Sequence, residues 1–163
     1  MIRPIVAGDL PRLLDLQRDA SVIALARVFP QDRHPFPRDA IEARWRAEIA
    51  DAATETVVAV DDAGELLGFA ATSGSELLHF GTAVATWGQG TASELHDAVV
   101  DRLHAHDGQP VLFVFEGNGR ARRFYEKHGW RPTGRRRPSD FEPHPVLLEY
   151  TLPCTSARSP RRT

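Results

Sequence analysis

The chain has 163 residues, with apolar residues at 42% and charged residues at 26%, a globular composition that excludes wholesale disorder. Twenty Lys and Arg stand against 22 Asp and Glu, and the formal charge of −2 argues against a dedicated nucleic-acid binder, which carries a strong basic surplus. The length suits one domain, expected over residues 1–152, with a short tail over 153–163.

In chain order, Ile2–Val6 reads as a first strand, and Asp9 stands as the cap of a helix with Pro11 in its first turn. Leu10, Leu13, Leu14 and Gln17 keep helical spacing. The run from Phe29 to Pro37 holds Pro30, Pro35 and Pro37, which deny it regular structure. A second helix is expected over Arg38–Ala50, with Ile41, Trp45 and Ile49 on one face. Thr56–Val60 and Leu66–Thr72 read as a hairpin around Asp61–Gly64, and Glu76–Thr82 as a further strand. Gly90–His106 is helical, with Ala92, Leu95, Val99 and Leu103 in a stripe, and the apolar run Val111–Phe115 is a strand expected to be buried on both faces. Arg120–His128 is helical again, with Ala121, Phe124, Tyr125 and His128 on one face, and Trp130–Arg137 and Pro145–Leu152 close a sheet. The tail is polar, with a proline and three arginines from Cys154 onward, and is expected to be disordered.

The lone cysteine, Cys154, forms no internal disulfide and is too little for a Cys-rich zinc site, so a reducing cytoplasm is the default location. No stretch approaches the roughly 18 apolar residues of a membrane span, and the start is interrupted by Gly8 and Asp9 too soon for a signal peptide. His104 and His106 lie two apart, facing nearly opposite ways on a helix, so no metal pair is expected there.

The first informative segment is Thr86-Trp87-Gly88-Gln89-Gly90-Thr91-Ala92, between an apolar strand and an amphipathic helix. Gly88 and Gly90 lack side chains, so backbone N–H groups can approach an anion closely. The helix beginning there leaves four N–H donors unpaired and carries about half a positive charge. Those features make a phosphate or pyrophosphate site that needs no lysine. Neither a Walker pattern nor a Rossmann fingerprint fits, because no Gly-Lys-[Ser/Thr] follows and Ser93 stands where a third glycine belongs.

The second segment runs from Val114 to Trp130: a buried strand, then Asn118, Ala121, Phe124 and Tyr125 along a helix stopped by Gly129. The pattern Asn118-x-x-Ala121-x-x-Phe124-Tyr125-x-x-x-Gly129-Trp130 resembles the second sequence motif of the GNAT superfamily, the acyl-CoA-dependent N-acetyltransferases. Trp87-x-x-Gly90-x-Ala92 is similar to that family's pyrophosphate loop, with Trp87 where Gln or Arg is commonest. The resemblance implies an α+β fold: a mixed, mostly antiparallel sheet of six or seven strands flanked by about four helices. It implies acetyl-CoA as cosubstrate, an amine acceptor and no metal. Phe80, Gly81 and Thr82 would hydrogen-bond the pantetheine arm through their backbone, and Trp87, Gly88, Gln89, Gly90, Thr91 and Ala92 would hold the pyrophosphate. Asn118 and Ala121 would border the pantetheine, Asn118 by direct contact, as a helix cap, or both.

Acetyl transfer needs a neutral amine, and an alkylammonium of pKa near 10.4 is neutral in about one part per thousand at pH 7, a cost of about 4–5 kcal/mol. A base must accept that proton, a donor should meet the departing thiolate, and positioning supplies much of the remaining rate. By the resemblance, Tyr125 is the donor near the sulfur; its phenol is protonated at pH 7. Glu76 is the candidate base, with His79 on the same strand an equal alternative and a water chain a third. Three residues apart, Glu76 and His79 face opposite ways on an undistorted strand, and a bulge would change that.

Phe29, His34, Phe36 and Trp45 fall where the family often walls its acceptor pocket, although apolar packing is the preferred explanation for the aromatics. Arg135, Arg136 and Arg137 reach either an anionic ligand or solvent from a charged loop. The leading reading is acetylation of a small-molecule amine by a monomer or homodimer that engages neither nucleic acid nor membrane. The alternatives are acetylation of a protein amine and a non-catalytic acyl-CoA-binding module.

Overall fold

The computed structural model describes residues 1–154, so the predicted tail beyond Cys154 lies outside the described residues. Strands β1 (Ile2–Pro4), β2 (Thr54–Val60), β3 (Leu66–Ser73) and β4 (Glu76–Thr82) form an antiparallel meander. Strand β5 (Val111–Phe115) lies parallel to β4, and β7 (Val146–Thr151) inserts between β5 and β6 (Arg131–Pro138), both antiparallel to it. The seven-stranded order is β1-β2-β3-β4-β5-β7-β6. Helices α1 (Leu10–Ala24), α2 (Arg38–Ala50), α3 (Thr91–His104) and α4 (Gly119–Lys127) complete the expected mixed, mostly antiparallel architecture. The one parallel pair needs a long crossover, which α3 supplies.

Alternation along β2 explains the layers. Val57 and Ala59 join a core with Leu95, Val99 and Leu103 of α3, while Val58 and Val60 face Leu13 and Leu14 of α1 and Trp45 of α2. Trp45 is fully buried, meets Phe69 edge-on at 5.5 Å, and donates its indole N–H to Gln17 Oε1 at 2.8 Å. The α2 stripe is narrower than its spacing suggests, because Ile41 and Trp45 are buried but Ile49 is exposed near the helix end.

Three other expectations are corrected. The first strand stops at Pro4, whose ring removes a ladder donor. Asp9 does not cap α1; its carboxylate turns back to accept the Val6 N–H at 2.9 Å and pairs with Arg3 at 2.7 Å. The Arg3 hydrogen bond, more than any other influence, holds the Asp9 carboxyl below its ordinary pKa. Strand β5 buries only one face: Leu112 and Val114 enter the α3–α4 core, while Phe113 lies under the Arg137 guanidinium at 3.7 Å and Phe115 meets Phe29 at 5.3 Å.

Beneath the α3–α4 layer, the buried Trp130 donates its indole N–H to Nε2 of buried His96 at 2.9 Å. That bond requires an unprotonated Nε2 and therefore a neutral ring. Burial lowers the His96 pKa from the ordinary histidine value, and the His128 ring 4.6 Å away lowers it further, against a smaller opposing pull from Asp97. The unfolded chain thus binds a proton here more readily than the folded one, and stability falls as pH drops through about 6.5, the unfolded value. Melting temperature should decline between pH 7 and pH 5, and His96→Phe should flatten that decline while lowering stability at pH 7 by about 1–3 kcal/mol, because the Trp130 N–H loses its acceptor. An unchanged pH slope in the variant would assign the acid sensitivity to other groups.

Candidate active site

Strands β4 and β5 are paired only at Glu76–Val111 and Leu77–Leu112. At the same level β4 carries a bulge: Thr72 of β3 opposes Leu77 and Ala71 opposes His79, which leaves Leu78 as the extra residue. Beyond it, the β5-facing edge of β4 has no ladder partner through Thr82. A strand edge in that state presents N–H and C=O groups to whatever fills the gap. The gap opens into a cleft of about 930 Å³, with Glu76 and His79 among its lining residues, both brought to it by the bulged strand.

Phe80, Gly81 and Thr82 also line this cleft. Phe80 stacks on Phe124 at 5.6 Å, tying β4 to α4 across the gap. Gly81 is fixed by close packing, because a Cβ there would come within 2.6 Å of the Phe69 ring. Thr82 offers its carbonyl to the Trp87 indole N–H at 3.2 Å, so that acceptor is already occupied.

The loop after β4 has the conformation its glycines suggest. Gly88 and Gly90 sit at φ 78° and 89°, the left-handed region that disfavours other residues, and nothing lies within 4 Å of a Cβ built on either. The first N–H groups of α3, on Thr91, Ala92 and Ser93, have no acceptor within the described helix and no side-chain cap. Trp87 braces the loop by stacking under the Arg120 guanidinium of α4 at 3.9 Å. Trp87 and Ala92 line the cleft, whereas Gly88, Gln89 and Gly90 are exposed at its lip beside Thr91. The Gln89 side chain folds back to donate to the Ala85 carbonyl at 2.8 Å, and its backbone N–H donates to the Thr86 carbonyl at 3.1 Å, so both donors are used within the loop.

On the opposite wall, Asn118 Oδ1 accepts the Ala121 N–H at 3.1 Å and caps α4, while Asn118 and Ala121 both border the cleft. Tyr125, one turn further on, is 8% exposed and lines the cleft, and no described residue hydrogen-bonds its hydroxyl. Burial raises the phenol's pKa well above the ordinary tyrosine value, so it remains a proton donor across the whole neutral range.

The remaining wall comes from α2 and the proline-rich segment. His79 Nε2 lies 2.6 Å from Glu48 Oε2, and the His79 ring packs on Trp45 at 4.6 Å. A carboxylate only accepts, so Nε2 carries the proton and Nδ1 keeps the lone pair of the neutral ring. Glu48 makes His79 part of a fixed pair, whereas no described group hydrogen-bonds the Glu76 carboxylate. Phe29, His34 and Phe36 line the cleft, and Trp45 lies buried behind it. Of the arginine triplet, which belongs to β6 rather than a loop, Arg136 pairs with Glu116 at 3.0 Å and Arg137 borders the cleft.

Sequence reasoning missed Arg44 and Glu48. They sit at i and i+4 on α2, which on its own reads as a solvated ion pair, and their only signal was flanking Trp45 on a half-buried helix. Among the described residues no group of three or more His, Cys, Asp or Glu is placed to hold a metal, and no helix is long and apolar enough to cross a membrane.

Comparison with known proteins gives this geometry a family. Residues 25–143 match the model of the acetyltransferase (GNAT) domain. No curated protein matches the chain. Among solved structures, apo-form YjaB from Escherichia coli is similar at 22% identity and TM-score 0.74, over 96% of this chain and 98% of that one. Spermidine N-acetyltransferase from Vibrio cholerae, in complex with CoA and spermine, is similar at 18% identity and TM-score 0.67, over 93% and 94%. The PaiA N-acetyltransferase from Thermoplasma acidophilum, in complex with coenzyme A, shares 16% identity at TM-score 0.67, over 91% and 96%. The chain belongs to the GNAT acetyltransferase family and is an acyl-CoA N-acyltransferase.

Proposed function

We propose that the chain transfers an acetyl group from acetyl-CoA to the primary amine of a small molecule, by direct attack within the cleft between β4 and β5. The observation that carries this reading is the parting of β4 from β5 after two paired residues, beside a loop of left-handed glycines at the start of α3. The open space over Gly88 and Gly90 and the free N–H groups of α3 suit a pyrophosphate, and the unpaired edge of β4 suits an amide-bearing arm laid along it. Acetyl-CoA, when bound, supplies an activated thioester carbonyl.

The chain's own residues then have separable tasks. Backbone groups of Phe80, Gly81 and Thr82, with Asn118 and Ala121 opposite, fix the arm's register. His79 takes the amine's proton at Nδ1, directly or through water, and Glu48 is a positioning residue that holds the ring by its other nitrogen. Glu76, at the start of β4, is the second choice of base. Tyr125 donates a hydrogen bond to the departing sulfur. Its raised pKa makes complete transfer to a thiolate unfavourable, so its contribution is charge stabilisation in a water-poor site until solvent supplies the proton.

Release of free CoA thiol from acetyl-CoA, measured across a panel of small amines and peptides, tests the activity. A small amine should support turnover above the acceptor-free background, and stabilisation by acetyl-CoA without turnover for any acceptor would instead favour a binding module. Tyr125→Phe should lower kcat by about 100-fold with little change in acetyl-CoA affinity, and the wild-type profile should show no alkaline limb below pH 10 from this residue. Full retained kcat would remove the tyrosine from the chemistry.

The base is assigned by comparing two variants. His79→Ala should remove the acidic limb of the pH–rate profile, and Glu48→Gln should reduce kcat with acetyl-CoA binding preserved. If Glu76→Gln removes the limb while His79→Ala leaves it, the proton goes to Glu76.

A further inference from the structure

The acceptor side of the cleft contains a charge that the proposed chemistry does not use. Arg44 lines the cleft one helical turn before Glu48, yet it forms no hydrogen bond or ion pair with any described residue. Its Nε is buried and without a partner. The guanidinium carbon lies 5.4 Å from the centre of the Phe141 ring, a cation–π contact that leaves its hydrogen-bond donors unfilled. Burial lowers the Arg44 pKa from the ordinary arginine value, against weaker opposing pulls from Glu48 and Asp140, neither of which pairs with it.

An unpaired, half-buried guanidinium is costly, and a chain gains from keeping one where a ligand supplies the missing anion. We propose that Arg44 binds the carboxylate of the acceptor, so that the amine acetylated belongs to a small amino acid-like zwitterion. This inference rests on the proposed acetyltransferase reading and names the substrate class for the same cleft.

The surrounding charges fit a zwitterion. Glu76, Glu48, Asp140 and Glu142 border the cleft and suit an ammonium, while Arg44 is its cation on α2. The other arginines that line the cleft, Arg33, Arg120, Arg123 and Arg137, are exposed to solvent, which screens them. His34 is half-buried in the proline-rich segment, and Arg137 is spread over Phe113. Arg44 and Glu48 are four residues apart, about 6 Å along the helix, and Glu48 holds His79. An amine at His79 would thus keep its carboxylate within reach of Arg44 if a short carbon chain separates them. A polyamine, whose charges are all positive, would meet Arg44 with repulsion and leave its donors unfilled. The planar fork of arginine matches a carboxylate through two parallel hydrogen bonds, a geometry that lysine does not reproduce.

The test uses matched pairs, in which each short α-, β- or γ-amino acid is assayed beside its primary amide, with wild-type chain and with Arg44→Gln and Arg44→Lys. In the wild type, kcat/KM should favour one of the carboxylates over its amide by about 10–100-fold, mostly through KM. Arg44→Gln should bring that ratio close to one, with Arg44→Lys restoring only part of it. A wild type that prefers amides, or a ratio that survives Arg44→Gln, overturns the inference while leaving the acetyltransferase reading in place.

Two readouts need no turnover. Without ligand, Arg44→Met should raise Tm by about 2–4 °C, because it removes an uncompensated buried charge, whereas a structural role would lower it. N-acetylglycine should bind the wild type more tightly than N-methylacetamide by calorimetry, and Arg44→Met should abolish the difference. If no amine is acetylated yet this preference holds and depends on Arg44, the carboxylate site stands and only the catalytic reading fails. Equal binding of the two probes overturns the site.

Discussion

Two ladder pairs join β4 to β5, and then the strands part. The parting follows from where one residue goes: β4 has Leu78 with no opposite number on β3, and a bulged strand bends and twists away from a straight neighbour. A gap in the middle of a sheet is expensive, since it leaves backbone donors and acceptors without partners. Here the structure limits that cost by closing the gap from behind. Phe80 stacks on Phe124, Phe124 packs against Tyr125 and His128, and the layer rests on His96 and Trp130. The unpaired edge therefore faces a cleft on one side and a well-packed aromatic floor on the other.

The chemistry proposed for the site is distributed around that gap. Each wall carries a different task because each element reaches it at a different point. Strand β4 brings His79 and the free backbone edge, α4 brings Tyr125 behind its Asn118 cap, and the start of α3 brings N–H groups beyond the left-handed glycines. Helix α2 brings Glu48 and Arg44, anchored because Trp45 between them is fully buried and bonded to Gln17. Charge is used sparingly. The polyanionic cosubstrate proposed here meets backbone dipoles at α3, which is how a chain of net charge −2 can suit three phosphates.

Much of this was legible in the residue order because local rules decided it. Gly88 and Gly90 announced a close backbone approach before a helix, Asn118 announced a cap, and the stripe of Leu95, Val99 and Leu103 announced the buried face of α3. What failed had a non-local cause. Asp9 has the chemistry of a cap but finds Arg3 of β1, a partner brought close only by the fold. Phe113 and Phe115 look like core residues and instead floor the cleft, because β5 loses β4 as a neighbour halfway along. The bulge at Leu78 has no sequence signature of its own, so the geometry of Glu76 and His79 stayed open until the register was known. Glu48 and Arg44 were hidden for the opposite reason: at i and i+4 they satisfied a local rule so well that a functional reading had no purchase.

Hydrogen–deuterium exchange of backbone amides, followed with and without saturating acetyl-CoA, addresses the gap itself. An acyl-CoA site between the parted strands predicts protection at residues 78–82 of β4 and at 88–93 across the glycine loop and the first turn of α3, with exchange on α1 little altered. Protection confined to other surfaces, or none at saturation, would contradict it.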